Sequence, residues 1–250
     1  MKLFLLIQYH TKMSLVALWC SIVTIVFYLV SFPCKHHKSL SWAYAKSLNW
    51  GVRIALAIRV KVIGQDNIIS GPAVVIMNHQ SNFDPLLQGP VFQKNTVIIA
   101  KKELKKIPLW GRLLDASNNI LVDRLAKGKN GSSIELAIER LESDNCYIWI
   151  FPEGTRSQGG KMASFKHGAF KMAVGAQVPF IPMVSKPLEQ VLDIPNKLAK
   201  GGRHEIKVLQ AISTIGLSEA DVPELAMKCE NLYKEEISNY LEISSDDVFH

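Results

Sequence analysis

The chain has 250 residues, 48% of them apolar, and a formal net charge of +7, which gives room for one α/β domain with an appendage and is more apolar than an ordinary soluble domain, so something apolar is expected outside the core. From Leu217 onward there are nine acidic and two basic residues, so the preceding 216 residues carry +14, a basic body suited to nucleic acid, an anionic membrane surface or phosphorylated substrates. Four cysteines without paired spacing (Cys20, Cys34, Cys146 and Cys229) argue against a disulfide framework, and neither Cys-x-x-Cys nor His-Glu-x-x-His occurs to suggest zinc.

Met13 to Phe32 is a run of twenty residues without a charge, bounded by Lys12 before it and by Lys35 and Lys38 after it. Twenty helical residues cover about 30 Å, the thickness of a bilayer's hydrocarbon core. No small-x-small cleavage site follows, so a membrane segment is expected rather than a removed signal peptide. Ser14, Ser21, Thr24 and Ser31 dilute it and an apolar M-K-L-F-L-L-I precedes it, which leaves open whether it spans the bilayer or lies in one leaflet. Lys35, Lys38, Lys46, Arg53 and Arg59 downstream favour keeping the body on the cytoplasmic face, the inner membrane in a bacterium. His36-His37 reads as interfacial.

Ser41 to Val62 places Trp42, Ala45, Leu48, Val52 and Ala55 near helical spacing with Lys46, Arg53 and Arg59 between them. This is an amphipathic helix, at the membrane surface or packed on a core. The sheet is expected to begin near Val60-Lys61-Val62-Ile63, which sets a boundary between residues 1–59, the membrane-anchoring helices, and residues 60–250, an α/β domain.

Ala73 to Met77, after Gly71-Pro72, has the length and β-branching of a buried strand. It leads into N-H-Q-S-N-F-D-P, Asn78 to Pro85. His79 and Asp84 are five positions apart, about 140° around a straight helix, so they can meet only across a turn. Asp84 suits a helix N-cap with Pro85 at the first helical position. His79 then stands at the C-terminal end of a strand, where open α/β sheets put their sites. With seven histidines and nine aspartates, a His-x4-Asp match arises by chance roughly 0.25 times per chain, so the pair needs company.

Thr96 to Ala100 is a second buried strand, and it delivers Lys101 and K-E-L-K-K-I-P-L-W-G toward any anion held there. Ile120-Leu121-Val122 is a short strand ending in the charged pair Asp123-Arg124. G-K-N-G-S-S, Gly128 to Ser133, lacks the Gly-Lys-Ser/Thr of a phosphate-binding P-loop and reads as a turn, capped by Ser132 or Ser133, before an amphipathic helix of Ile134, Ala137, Ile138 and Leu141. The apolar strand Cys146 to Phe151 delivers P-E-G-T-R-S. Gly154 there lets the backbone approach a ligand, Thr155 adds a hydroxyl, and Arg156 offers a planar fork for phosphate oxygens. Glu153 is placed to orient that arginine or to accept from a substrate hydroxyl.

Lys161, Lys166 and Lys171 alternate with Phe165 and Phe170, a mixture that also fits nucleic acid. The membrane segment already accounts for the basicity, so no nucleic-acid partner is expected. Val178 to Val184 is a further strand with two prolines. Ser218 to Leu241 is an acidic helix whose buried side is Leu225, Leu232, Tyr233, Ile237 and Tyr240.

Four stretches, N-H-Q-S-N-F-D, N-N-I-L-V-D-R (Asn118 to Arg124), F-P-E-G-T-R-S (Phe151 to Ser157) and V-P-F-I-P (Val178 to Pro182), resemble in order and spacing the four blocks of the glycerophospholipid acyltransferases, nearest their bacterial 1-acylglycerol-3-phosphate branch. The second block departs from the usual pattern, with Asn118 where glycine is common and Leu121 where phenylalanine is. The resemblance implies a mixed, mostly parallel α/β sheet flanked by helices. It also implies acyl transfer from acyl-CoA or acyl carrier protein to the sn-2 hydroxyl of lysophosphatidate at the membrane, giving phosphatidate, with no cofactor beyond the thioester. His79 would be the general base, oriented by Asp84. Arg156 and Arg124, with Lys101, would hold the acceptor phosphate in a pocket shaped by Glu153, Gly154 and Thr155. No Gly-x-Ser-x-Gly elbow occurs, so direct transfer without an acyl-enzyme is expected. Other lyso-lipid acceptors, and a non-catalytic membrane adaptor, are the competing readings.

Overall fold

The computed structural model describes residues 1–34, 37, 39–122, 133–157 and 161–246. Arg124, with Asp123 and the turn from Gly128 to Ser132, lies outside the described residues, as do Lys35, His36 and Lys38. In chain order the elements are helices α1 (Lys2–Val30) and α2 (Leu40–Leu56), strands β1 (Ile58–Ile63) and β2 (Ala73–Met77), a single helical turn α3 (Asp84–Leu87), β3 (Thr96–Lys101), α4 (Trp110–Ala116), β4 (Ile120–Val122), α5 (Ser133–Asp144), β5 (Tyr147–Ile150), α6 (Gly168–Gly175), β6 (Phe180–Ser185), β7 (Gly202–Val208) and α7 (Val222–Asp246).

The strands form one sheet in the order β1-β7-β6-β2-β5-β3-β4. β6, β2, β5, β3 and β4 run parallel, β7 returns antiparallel to β6, and β1 lies parallel to β7. The expected mixed, mostly parallel α/β sheet is thus observed. β2 is central and buried on both faces, which explains its unbroken apolar run. Its alternate residues go to opposite layers: Val74 and Ile76 pack with Phe165, Phe170 and Tyr233 on the side of α5, α6 and α7. Ala73, Val75 and Met77 pack with Phe92, Trp149 and Met183 on the other face.

Three boundaries differ from the sequence reading. The first helix begins at Lys2 rather than Met13, because the apolar stretch before Lys12 continues the same helix. The helix expected to reach Val62 stops at Leu56: Ala57 turns left-handed at φ +56°, and β1 starts at Ile58, two residues before the expected domain boundary. The alternation Arg59-Val60-Lys61-Val62 suits a strand once β7, which went unread in the sequence, provides a partner. Asp84 is not the N-cap of α3. Phe83 holds that position and Asp84 is the first helical residue, so its carboxylate is turned back toward the preceding loop.

The second helix packs on the core along one face and leaves the other open. Val52 and Leu56 are buried with Leu87, Leu188 and Leu192, while Trp50 and Ile54 are exposed.

Candidate active site

The loop after β2 is pinned to the end of β6 by its polar residues. Asn78, buried, accepts from Ser185 N at 2.7 Å and donates to Ser185 O at 3.0 Å. Gln80 donates to Ser185 O and Lys186 O and accepts from Leu188 N at 3.1 Å. With its neighbours on both sides fastened to β6, His79 has little freedom of backbone position.

Its side chain is fixed by Asp84. One carboxylate oxygen, Oδ2, accepts from Gln80 N at 2.6 Å, from Ser81 N at 2.8 Å and from His79 Nδ1 at 2.7 Å. A carboxylate needs a donor, so the proton of the neutral imidazole belongs on Nδ1 and the lone pair on Nε2. The Phe151 ring stacks on the imidazole at 3.9 Å between centroids and 13° between planes. Asp84 is 4% exposed, and the His79 side chain keeps 15% of its surface open.

The loop after β5 closes the site from the other side. Glu153, 2% exposed, accepts from His79 N at 2.6 Å with Oε1 and from Ala163 N at 2.9 Å with Oε2. Burial raises its pKa, and the two backbone N–H bonds work against that rise. This differs from the sequence expectation. Both carboxylate oxygens are engaged by backbone amides, and the side chain ties the two site loops together because the otherwise unpaired amides of two irregular segments need an acceptor. His79 O in turn accepts from Ser157 N at 3.0 Å. Gly154 is left-handed at φ +66°, and the Lys166 side chain passes over it so closely that an added Cβ would lie 2.8 Å from Nζ.

Thr155 and Arg156 project into solvent beside this knot. Lys101 is exposed at the end of β3. Because β2, β5 and β3 are parallel, His79, Glu153 to Arg156 and Lys101 all stand at one edge of the sheet, with Lys101 two strands from β2. Sequence reasoning gave no role to Asn78, Gln80, Phe151 or Ser185. Their signal is position next to the motif residues, but their partners are more than seventy residues away in the chain.

Residues 59–186 match the family described as Acyltransferase. The chain is 30% identical over 230 residues to the 1-acyl-sn-glycerol-3-phosphate acyltransferase of Haemophilus influenzae, covering 91% of this chain and 94% of that one. It is 34% identical over 196 residues to the alpha form of the same enzyme from Ovis aries, covering 78% and 67%. In fold it is similar to the crystal structure of the 1-acyl-sn-glycerophosphate (LPA) acyltransferase PlsC from Thermotoga maritima, with a TM-score of 0.74 over 96% of this chain and 97% of that one, at 24% identity.

Proposed function

This chain belongs to the acyltransferase family, and we propose that it moves an acyl group from a thioester, acyl-CoA or acyl carrier protein, to the sn-2 hydroxyl of lysophosphatidate, giving phosphatidate for phospholipid biosynthesis. One observation carries the mechanism: His79 Nδ1 is bound to a buried Asp84 at 2.7 Å, while Nε2 makes no hydrogen bond among the described residues. An alcohol is a weak nucleophile until a base takes its proton. Nε2 accepts that proton as the hydroxyl oxygen bonds to the thioester carbonyl carbon and the carbonyl electron pair moves onto oxygen. Asp84 stabilises the imidazolium so formed. Collapse of the tetrahedral intermediate breaks the carbon–sulfur bond, and His79 returns the proton to the leaving thiolate. The products are an ester and a free thiol, with no bond to the protein.

Arg156, exposed beside the site, supplies the planar fork for the acceptor phosphate. Lys101 lies at the same edge, and Arg124 is assigned the same partner on sequence resemblance alone. The apolar outer face of α1 supports membrane attachment, and the basic body suits the anionic cytoplasmic leaflet. The test is turnover with labelled acyl-CoA and a panel of lyso-lipids. His79→Ala is expected to lose at least about 100-fold in kcat; retention of wild-type turnover would end the mechanism. Arg156→Ala is expected to raise KM for the phosphomonoester acceptor most, and equal wild-type use of a headgroup-bearing acceptor would overturn the substrate assignment.

A further inference from the structure

The ends of β2 and β6 that carry the site are joined by a side chain belonging to neither strand. Tyr233, on α7 and fully buried, accepts a hydrogen bond from Met183 N at 2.9 Å and donates one to Ile76 O at 2.8 Å. Ile76 pairs with Pro182 and Met77 with Met183 in the parallel register, so the hydroxyl bridges the strands three residues before His79. Beyond that point the link is again made by a side chain, Asn78 to Ser185. The tyrosine ring is fixed edge-on by Phe165, 5.0 Å away at 81°. Burial holds the hydroxyl's pKa well above 10, so it keeps its proton and its donor role at any working pH.

Both hydrogen-bonding capacities of the hydroxyl go to main-chain atoms of the strands that frame the site, and neither goes to the core that surrounds the ring. A tyrosine needed only for its bulk would not require them, since phenylalanine fills the same volume. We propose that Tyr233 is a positioning residue for acyl transfer: by tying the Ile76 carbonyl to the Met183 amide it sets the height and direction at which β2 presents His79. The inference rests on the reading of His79 as the base. It gives the C-terminal helix a part in the chemistry without contact with substrate. Without the hydroxyl, the Ile76 carbonyl and the Met183 amide lose their common partner and the end of β2 can settle elsewhere; a shift of about 1 Å at the reacting atom costs about 100-fold in rate.

Tyr233→Phe, Tyr233→4-aminophenylalanine and Phe170→Leu are compared with wild type for kcat and KM toward lysophosphatidate, each normalised to its folded fraction. The phenylalanine variant is expected to lose about 10- to 100-fold in kcat with KM for the acceptor unchanged. The amino variant, which can still donate and accept at that place, recovers most of the loss. Phe170→Leu, which loosens the same core layer but leaves Tyr233 and the ring that packs on it in place, keeps wild-type kcat. Wild-type kcat in Tyr233→Phe, or an equal loss in Phe170→Leu, overturns the proposal. If wild type itself transfers no acyl group, the functional reading fails instead, and amide exchange over residues 77–81 decides the positioning role: faster exchange in Tyr233→Phe supports it and unchanged exchange overturns it.

Discussion

Three hydrogen bonds converge on one oxygen of Asp84, and this predicts what an amide would do there. Because Gln80 N and Ser81 N both point at that oxygen, Asp84→Asn must keep its carbonyl in place to avoid setting N–H against N–H. The imidazole tautomer is therefore preserved and only the negative charge is lost. We expect kcat to fall about 10²–10⁴-fold and the same substitution to cost nothing further in a His79→Ala background, because the carboxylate acts through the imidazole. A double-mutant cycle on turnover checks this; additive losses would mean Asp84 works independently. Glu153→Gln behaves differently, since each oxygen faces a backbone N–H and one of them must become an amide nitrogen. The orphaned amide costs about 1–3 kcal/mol, to be read as a lower urea midpoint. The pairing of His79 with Asp84 was legible in the sequence because it is local. The role of Glu153 was not, because its partner is 74 residues away. Asn118, the departure from the family's usual glycine, sits at φ +58°, a left-handed conformation that asparagine tolerates better than most residues. The exchange preserves the backbone and gives no reason by itself to redirect the enzyme to another acceptor.

At the scale of elements, β2, β3, β4, β5 and β6 were readable as apolar runs, and α5 and α7 as helical periods. β7 was not, since Arg203, Glu205 and Lys207 alternate with only two apolar residues, and the third inward position is His204. That histidine is 2% exposed. Its Nε2 lies 3.0 Å from Ser185 Oγ, and Nδ1 makes no hydrogen bond among the described residues. Burial lowers its pKa from 6.5 to about 4, against the attraction of Asp84 and Glu205 and with the help of Lys186. Above pH 6.5 the ring is neutral folded or unfolded and contributes no pH dependence. As pH falls from 6.5 toward 4 the unfolded chain takes up a proton that the folded one refuses, so stability falls through that window by about 3 kcal/mol in all. His204→Gln can keep a hydrogen bond to Ser185 and has nothing to titrate. Its urea midpoint is expected to change less than that of wild type between pH 7 and pH 4, and an unchanged difference would show that another group carries the acid sensitivity.

For the whole molecule the open question was how α1 meets the membrane. At 29 residues it is about 44 Å long, ample to span. Yet protein covers one side of it for most of that length. Tyr9, Val16 and Val23 form a buried stripe at seven-residue spacing, Lys12 donates to Ala199 O at 2.8 Å, Trp19 to Ser47 O at 2.9 Å, and Arg112 lies 3.7 Å over Phe32. From Tyr9 to Val30, the last helical residue, is about 32 Å, the full thickness of the hydrocarbon core. Spanning would drag α2, α4 and the charged Arg112 into lipid at a cost that a few apolar contacts do not repay. We propose a helix lying along one leaflet and presenting Leu18, Ile25 and Leu29, which are 59%, 49% and 61% exposed. The triple substitution Leu18→Glu/Ile25→Glu/Leu29→Glu is then expected to leave the melting temperature near wild type, because none of these side chains is in the core. It should abolish flotation with anionic vesicles and lower turnover of vesicle-borne acceptor, while a short-chain, water-soluble acceptor is still used. Removing residues 1–38 should instead destabilise the body, since Tyr9 and Val16 pack with Val52, Leu56 and Leu188, and each fully buried side chain contributes about 1.5–3 kcal/mol. A truncated protein as stable as wild type would show that α1 is a detachable span rather than an interfacial part of the fold, and a triple variant that still floats with vesicles would show that another surface makes the attachment.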